Sequence, residues 1–306
     1  MNAIIRTKNL TKYYGKLKAV DNINLTVRKG EIYGFLGRNG AGKTTTIKML
    51  LGIIKPTSGE IEMFGNNFKD RRRDALERVG FAAEFSGFYS NLTGLENLEI
   101  NTRLLGVQNM NAIEEALSIV GMWDERNKLV KKYSLGMKRR LGIARAIVHN
   151  PELLIFDEPT NGLDPIGIKE TRRLIRALAE KRKITIFISS HILSEIQQLA
   201  STIGIIHNGK LLEEISFEDL RKKNRRYIEV QVSNDAKACM LLEKNLEVYD
   251  YEVHEENTIR IYSHYDMISK VNKILVENDI DVIKLGLSED NLEDYFIKLT
   301  GGDSIV

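Results

Sequence analysis

The segment GRNGAGKTT, residues 37–45, constrains the fold of this chain more than any other feature of its sequence. It fits the pattern G-x-x-x-x-G-K-[ST], and it lies between the apolar run EIYGFLG and the predicted helix TTTIKMLLG. Gly37, Gly40 and Gly42 permit backbone angles that turn consecutive N–H groups inward around a phosphate. A glycine-rich loop with an accidental lysine is the alternative, but the flanking strand and helix favour a phosphate-binding loop.

The other residues of this segment complete the predicted nucleotide site. Lys43 would bring a compact ammonium group to the outer phosphates, and Thr44 would offer its hydroxyl oxygen to Mg²⁺. The helix that follows adds the positive end of its dipole. The remaining loop positions predicted to contact the nucleotide are Arg38, Asn39, Ala41 and Thr45.

The segment LLIFDEPTNGLDP, residues 153–165, predicts the acidic half of the same site. Its apolar residues indicate a buried strand, and Asp157 and Glu158 follow where α/β folds place their ligand crevice. Asp157 would hold Mg²⁺ through water, and Glu158 would polarise the attacking water; two solvated acids are the alternative. His191 follows the run ITIFISS at the next strand end and is predicted to be catalytic, although a lone histidine is more often structural.

Short apolar runs alternate with amphipathic segments over the first two thirds of the chain, which predicts an α/β sheet covered by helices. Continuous runs of β-branched and aromatic residues indicate strands that are buried on both faces. Between residues 93 and 147 the strand signals stop and three helical patterns follow, which predicts a helical insertion. The predicted strands are 31–37, 79–83, 152–157, 184–190 and 202–207.

A change of pattern after the hairpin signal Asn208-Gly209 predicts a second domain. The charged segment RKKNRR, residues 221–226, is expected to be a solvated hinge or a contact with an anionic membrane surface. The order βαββαβ with a tail helix then resembles a small α+β ferredoxin-like sandwich. The predicted domains are 1–216, a nucleotide-binding domain with a helical subdomain over about 85–147; 217–226, a basic linker; and 227–306, an accessory domain.

Composition excludes several classes of protein. The net charge of +3, from 45 basic and 42 acidic residues, is too close to balance to indicate a nucleic-acid partner. The single cysteine, Cys239, excludes an internal disulfide framework and is typical of a reducing compartment. Because no apolar run approaches the length of a membrane span, we expect the chain to stay in the cytoplasm.

The segment YSLGMKRRLGIARAI, residues 133–147, combines with the two motifs above to resemble the nucleotide-binding subunits of ABC transporters. The resemblance implies a P-loop (RecA-like) core that binds and hydrolyses ATP. It also implies a homodimer, in which the phosphate loop of one subunit and the signature segment of its partner enclose one ATP. Ser134 and Gly136 would then receive the γ-phosphate at a helix tip. Leu135 and Met137 depart from the usual family form, L-S-G-G-Q.

The same resemblance implies roles for residues that their local pattern alone does not identify. Tyr14 would stack on adenine, although the adjacent Tyr13 could take that role. Asp164 would make a contact across the dimer, and His191 would be the γ-phosphate switch. Glu84 stands where the family usually has glutamine, and it would bind the metal unless it is a surface acid.

Three basic residues and three aromatic residues lie beside these motifs. Lys138, Arg139 and Arg140 are predicted to form a solvated face of the signature helix. The aromatic residues near the metal-sensing position suggest a surface that faces a permease; they are Phe85, Phe88 and Tyr89.

The sequence around Glu84 and in the signature segment resembles that of the branch of the family that serves bacitracin resistance and lantibiotic self-immunity. That resemblance implies a peripheral bacterial protein at the cytoplasmic face of the membrane, where it drives a separate integral membrane permease that exports a peptide antibiotic. Two other functions are the alternatives: an ABC ATPase that acts on ribosomes or DNA, and a regulatory module that uses ATP as a ligand.

Overall fold

The computed structural model describes residues 3–83, 87–109, 111–223, 226–289, 295, 296 and 299, with the backbone alone for 221–223 and 289. The chain forms two compact units, one containing the residues up to Phe217 and the other comprising Glu218–Lys298. Among the described residues, no helix has both the length and the apolar character needed to cross a bilayer.

The first unit mixes strands and helices along its whole length. Its elements up to the helical insertion are β1 (Ala3–Tyr14), β2 (Leu17–Ile23), β3 (Thr26–Arg28), β4 (Ile32–Leu36), α1 (Lys43–Leu50), β5 (Ser58–Met63), β6 (Asn66–Asn67), α2 (Arg72–Leu76) and β7 (Val79–Ala82). The elements that follow are α3 (Gly94–Leu105), α4 (Ala112–Ile119), α5 (Leu135–Ile147), β8 (Leu153–Asp157), α6 (Pro165–Arg182), β9 (Thr185–Ser190), α7 (Leu193–Leu199), β10 (Thr202–His207) and β11 (Lys210–Ser216). Helix α8 (Phe217–Lys223) comes next and spans the boundary between the two units in the sequence.

A six-stranded sheet in the order β11-β10-β4-β9-β8-β7 forms the centre of this unit. Five of its strands are parallel, and β11 is antiparallel at the edge, where the hairpin at Asn208-Gly209 joins it to β10. Every residue of β4, β8 and β9 is buried, as their continuous apolar runs predict for strands covered on both faces. The carboxyl ends of these three strands therefore open on one crevice.

A second sheet, antiparallel, is built from β1, β2, β3, β5 and β6. Its strand β1 pairs with three others, and bulges interrupt each of those pairings. One apolar core includes Ile5 and Leu10 of this sheet together with Phe35 and Phe187 of the parallel sheet. The sequence pattern did not predict this second sheet, because its strands are irregular and largely polar.

The helical insertion contains α3, α4 and α5. Helix α3 begins at a capping box, in which Thr93 Oγ1 accepts from Glu96 N and the Glu96 carboxylate accepts from Thr93 N. It ends at Gly106, whose φ of 67° is in the left-handed region. Helix α5 begins after Ser134, which places the signature segment at a helix N-terminus as predicted.

The second unit is a four-stranded antiparallel sheet with two helices. Its elements are β12 (Arg226–Val232), α9 (Asp235–Leu246), β13 (Tyr251–His254), β14 (Thr258–Ile261), α10 (Ile268–Glu277) and β15 (Val282–Glu289). The strand order β13-β14-β12-β15 is that of a ferredoxin-like sandwich. Apolar residues of both helices share one core with this sheet, among them Leu242 and Leu275.

The predicted fold class is confirmed: an α/β core with a helical insertion, followed by a small α+β unit. Residues 217–226, predicted to be a linker, contain α8 and the first residue of β12. Of the predicted tail helix, Tyr295, Phe296 and Leu299 are helical, and its remaining positions lie outside the described residues.

Candidate functional site

The phosphate-loop segment joins β4 to α1 at the crevice. Side chains are excluded by close backbone contacts at two of its glycines: a Cβ on Gly37 would lie 2.4 Å from Ile206 O, and one on Gly42 would lie 2.7 Å from Ala19 O. Gly40 and Gly42 also have positive φ angles of 83° and 109°. The loop therefore requires glycine for its backbone path, as the sequence pattern predicts.

The side chain of Lys43 is buried inside this loop. Its Nζ donates to Gly37 O at 2.5 Å and to Arg38 O at 3.1 Å, and it lies 3.2 Å from Glu158 Oε1. Only 5% of the lysine side chain is exposed. The ammonium group thus joins the two motifs that the sequence analysis assigned to one site.

The first of the two acids, Asp157, lies between two hydroxyl groups. Thr44 Oγ1 donates to Asp157 Oδ2 at 3.2 Å, and Ser189 Oγ donates to Asp157 Oδ1 at 2.6 Å. The Thr44 hydroxyl and this carboxylate supply the hard oxygen ligands that Mg²⁺ prefers, and Mg²⁺ usually needs only one or two carboxylates besides phosphate and water. These residues fit that metal.

The second acid, Glu158, is held from two sides. Its Oε1 faces Lys43, and its Oε2 lies 2.9 Å from His191 Nδ1. The backbone of Glu158 has a φ of 49°, an uncommon value for a residue that carries a side chain. Such a conformation persists only when its surroundings enforce it, and it is frequent at functional sites.

Three further residues of the predicted nucleotide site lie at the N-termini of α5 and α6; Ser134 and Asp164 are exposed, and Gly136 is half-buried. Ser134 caps α5 by accepting from Met137 N at 3.2 Å, and a Cβ on Gly136 would have no neighbour closer than Ser134 Oγ at 3.9 Å. Asp164 caps α6 by accepting from Gly167 N at 2.7 Å. Among the described residues, no hydrogen bond or ion pair joins these three positions to the phosphate loop.

Both tyrosines predicted for the adenine site are near the end of β1 and are about equally exposed, with 42% for Tyr13 and 47% for Tyr14. An ammonium group lies over each ring, that of Lys18 over Tyr13 and that of Lys12 over Tyr14. The geometry does not distinguish the two rings. Glu84 lies outside the described residues, so its role as a metal ligand stays a prediction.

The structure corrects the prediction for Arg139. Only 6% of this residue is exposed, and its guanidinium group donates to Ala83 O at 3.1 Å and to Asn161 O at 3.2 Å. Lys138 is exposed as predicted, and Arg140 forms an ion pair with Glu170 of α6. Arg139 differs from its neighbours because it lies one helical turn before the fully buried Ile143, on the buried face of α5.

Two further polar residues of the site were missed by the sequence analysis. Ser189 is fully buried, and besides binding Asp157 it accepts from Glu158 N at 3.1 Å. Glu195 of α7, also buried, accepts a hydrogen bond from Thr160 Oγ1, two residues after Glu158. A serine at the end of an apolar run and an acid within a helical pattern carry no distinctive signal in a single sequence.

The predicted aromatic surface is described in part. Tyr89 is exposed, Phe88 is half-buried beneath the guanidinium group of Arg145, and Phe85 lies outside the described residues. Asn97 of α3 fixes this loop, because its side-chain amide bonds both the N–H and the carbonyl of Tyr89. The role of this aromatic surface as a permease contact stays a prediction.

Comparisons with known proteins gave a match to a family model and relatives that match over the full length. A family model described as ABC transporter matches residues 20–161. The bacitracin transport ATP-binding protein BcrA of Bacillus licheniformis is 61% identical over 305 residues, which is 100% of both chains. The protein of the same name from Enterococcus faecalis is 49% identical and covers 100% of this chain and 99% of its own.

Two further matches cover about 70% of this chain. The lantibiotic transport ATP-binding protein SrtF of Streptococcus pyogenes is 43% identical over 215 residues, 70% of this chain and 92% of its own. A solved dimeric ATP-binding cassette bound to ADP and Pi in a post-hydrolysis state has a TM-score of 0.61 and 25% identity. That match covers 69% of this chain and 98% of the solved one.

The phosphate loop, the paired acids at the end of β8 and the capped tip of α5 are thus found in a chain that matches relatives of this kind over its full length. The chain belongs to the family of ABC transporter ATP-binding proteins, and it binds and hydrolyses ATP.

Proposed function

We propose that this chain is the ATP-hydrolysing subunit of a bacterial exporter that removes bacitracin or a related peptide antibiotic. Two copies would act together at the cytoplasmic face of the membrane on a separate permease. The observation that carries the cargo assignment is the similarity to a bacitracin transport protein over the full length of both chains.

The phosphate loop and Lys43 bind the triphosphate in this proposal. In the structure Lys43 Nζ donates to two neutral carbonyl oxygens. Phosphate oxygens would replace them, because a hydrogen bond between two charged groups is stronger than one to a neutral acceptor. Thr44 and Asp157 would hold Mg²⁺. When bound, the metal would neutralise charge on the outer phosphates.

Glu158 orients and polarises the attacking water. Its carboxylate is kept in place by Lys43 on one side and by His191 on the other, and its strained backbone is fixed by the bond from its N–H to Ser189. A general base must be within hydrogen-bond reach of the proton it takes, so a carboxylate that is held rigidly is suited to this role. His191 would contact the γ-phosphate from the end of the neighbouring strand.

The second copy completes each site. Ser134 and Asp164 are exposed and Gly136 is half-buried in the single chain, and all three would meet the ATP bound to the partner's phosphate loop. A helix N-terminus with a serine cap offers unpaired N–H groups to an anion. A relative of known dimeric structure supports this arrangement.

A lantibiotic is the second candidate cargo, because the lantibiotic transport protein SrtF is 43% identical over 215 residues. That match covers 70% of this chain, whereas both bacitracin transport proteins match all of it. Similarity that includes the second unit therefore favours bacitracin.

Deletion of the gene in its own bacterium tests this proposal, with growth measured against bacitracin and against a lantibiotic. We expect the deletion to increase sensitivity to bacitracin, and we expect the unaltered gene but not Glu158→Gln to restore resistance. Glu180→Gln makes the same chemical change at an exposed position of α6 and serves as the control. Unchanged sensitivity to bacitracin, or full resistance with Glu158→Gln, would overturn the proposal.

A further inference from the structure

Arg139 joins three segments of the first unit that are distant in sequence. It lies on α5, and it donates hydrogen bonds to Ala83, which follows β7, and to Asn161, in the turn after Glu158. The turn that contains Asn161 leads into Asp164, the cap of α6. One buried side chain thus connects the signature helix to the carboxyl end of β7 and to the segment between Glu158 and Asp164.

The chemistry of arginine suits this position. Its planar guanidinium group carries donors in fixed, divergent directions, so it can bind two carbonyl groups of different segments at once. A lysine ammonium group would keep the charge but lacks this fixed fork. Arg139 is almost fully buried, so its charge is far from bulk water, and these carbonyl contacts offset part of the desolvation cost.

A second arginine of the same helix, Arg145, binds a later residue of the connection between β7 and α3. Arg145 donates to Gly87 O at 3.2 Å, and its guanidinium carbon lies 4.8 Å from the centre of the Phe88 ring. Burial lowers the pKa of this group. Helix α5 therefore binds Ala83 and Gly87, the described residues on the two sides of positions 84–86.

The tip of α5 lies near the turn that Arg139 binds. A Cβ added to Gly162 would lie 3.5 Å from Leu135 Cδ2. Leu135 follows the Ser134 cap directly. The turn at residues 161–162 is thus bound by Arg139 at Asn161 and lies close to the tip of α5 at Gly162.

We propose that Arg139 is a positioning residue that makes α5, the end of β7 and the turn at residues 161–162 shift as one unit. The inference rests on the proposed function. In the proposed dimer, Ser134 contacts the ATP bound to the partner, while Glu158 of the same chain acts on the other ATP. Arg139 would therefore transmit the state of one ATP site to the carboxylate of the other.

A coupling of this kind has a measurable size. Contact of Ser134 with a γ-phosphate biases α5 toward one position, and Arg139 carries that bias to the turn after Glu158. Couplings between sites in proteins change affinity by about 5- to 150-fold. A residue with only a structural role would change stability and leave the cooperativity between the sites unaltered.

Kinetics of the purified full chain test the proposal. Arg139→Lys and Arg139→Met are compared with Lys138→Met, a substitution at the exposed neighbouring position. Melting temperature, the Kd of a fluorescent ATP analogue, kcat, and the Hill coefficient for ATP hydrolysis are measured for each. We expect both Arg139 variants to keep the Kd, to have a lower kcat than Lys138→Met, and to lower the Hill coefficient toward one, because the coupling between the two sites is lost.

Two results would overturn the inference: a Hill coefficient of one in the unaltered chain, or kcat and cooperativity in the Arg139 variants equal to those of Lys138→Met. Failure of the proposed ATP-sharing dimer has a different signature, because light scattering of the unaltered chain would then show no dimer that depends on ATP.

A hydrogen-exchange measurement keeps the inference testable if the Arg139 variants do not fold. In the Glu158→Gln chain, ATP is titrated while exchange is followed in peptides that cover residues 87–92 and 159–164. We expect both peptides to gain protection over the same range of ATP concentration, because α5 binds both segments. Protection of one peptide at concentrations that leave the other unchanged would refute a shared movement.

Discussion

Ser189 donates its hydroxyl hydrogen to Asp157 at 2.6 Å, from the strand adjacent to the one that Asp157 ends. The same oxygen accepts the N–H of Glu158, so a single buried hydroxyl fixes both acids of the site. Both contacts link β9 to the end of β8. The site is therefore preorganised by the sheet, which reduces the rearrangement needed when the reaction begins.

Removing this hydroxyl should affect both stability and metal dependence. Ser189→Ala leaves the Glu158 N–H and one Asp157 oxygen without their partner, which typically costs about 1–3 kcal/mol of unfolding free energy. We expect the concentration of Mg²⁺ that gives half-maximal hydrolysis to rise. Urea unfolding and a Mg²⁺ titration of ATPase activity measure the two effects. Ser118→Ala removes a hydroxyl at an exposed position of α4 and serves as the control. An unchanged Mg²⁺ titration in Ser189→Ala would contradict the prediction.

Neutralising the catalytic carboxylate should separate binding from hydrolysis. Glu158→Gln keeps the size of the side chain and removes the base, so we expect hydrolysis to fall by roughly 10²- to 10⁴-fold. ATP binding should persist because the phosphate loop is unaltered, and the ATP-bound dimer should accumulate. Turnover, equilibrium binding and light scattering measure these results, with Glu180→Gln as the control. Turnover equal to that of the control would remove Glu158 from its role.

The two tyrosines near the end of β1 can be distinguished by substitution. Stacking of a base on an aromatic ring contributes about 1–3 kcal/mol by alanine substitution, which corresponds to roughly 5- to 150-fold in Kd. We expect Tyr14→Ala to weaken ATP binding by this amount, Tyr14→Phe to preserve it, and Tyr13→Ala to have little effect. Titration with a fluorescent ATP analogue measures the three variants, and a larger loss in Tyr13→Ala would assign the adenine to Tyr13.

Much of the α/β core could be predicted because the strands that form its centre are continuous apolar runs. Strand β10, Thr202–His207, has the predicted bounds, and β4, β8 and β9 differ from their predicted ranges by a residue or two. The phosphate loop was predictable because its glycines are needed for local backbone geometry. Such features depend on neighbours in sequence, and a single sequence displays them.

Features that depend on tertiary contacts could not be predicted in the same way. Strand β1 alternates irregularly between buried and exposed residues because bulges interrupt its pairing, so its twelve residues show no clean period. Ser189 and Glu195 contribute to the site because the end of β8 and the turn after it lie beside them in the folded chain. Arg139 belongs to a basic triplet, and only the packing of α5 shows which of the three side chains is buried.

A half-buried histidine predicts how stability depends on pH. His149 follows α5, and its Nε2 lies 3.1 Å from Val79 O, where it donates, while Nδ1 is buried without a partner among the described residues. Burial lowers the pKa of His149 from its ordinary value of 6.5. The unfolded chain therefore binds this proton more readily than the folded chain does. The stability that the neutral ring contributes is present above about pH 6.5 and is lost as the pH falls through the lowered pKa.

Substitution of this histidine should make the chain less sensitive to acid. We expect the melting temperature of His149→Gln to fall less between pH 7.5 and pH 5 than that of the unaltered chain, because glutamine takes up no proton in this range. His264→Gln, at an exposed position, is the matched control. Thermal unfolding across the pH range measures the difference, and equal slopes for the unaltered chain and His149→Gln would contradict the prediction.

Gly136 offers the sharpest test of the shared ATP site, because its structural and functional effects have opposite signs. In the single chain a Cβ at this position has open space around it, and alanine favours a helix over glycine by about 0.5–1 kcal/mol. Gly136→Ala should therefore leave the folded chain at least as stable as before. In the proposed dimer the partner's triphosphate approaches this backbone closely, so the added methyl group should weaken the ATP-dependent dimer and slow hydrolysis.

Ser134→Ala provides the contrast, since loss of a helix cap typically costs about 1 kcal/mol of stability as well as the phosphate contact. Unfolding measurements, light scattering with ATP, and turnover separate the two variants. A Gly136→Ala chain that is stable, dimerises with ATP and hydrolyses it at the unaltered rate would show that no phosphate comes near the tip of α5.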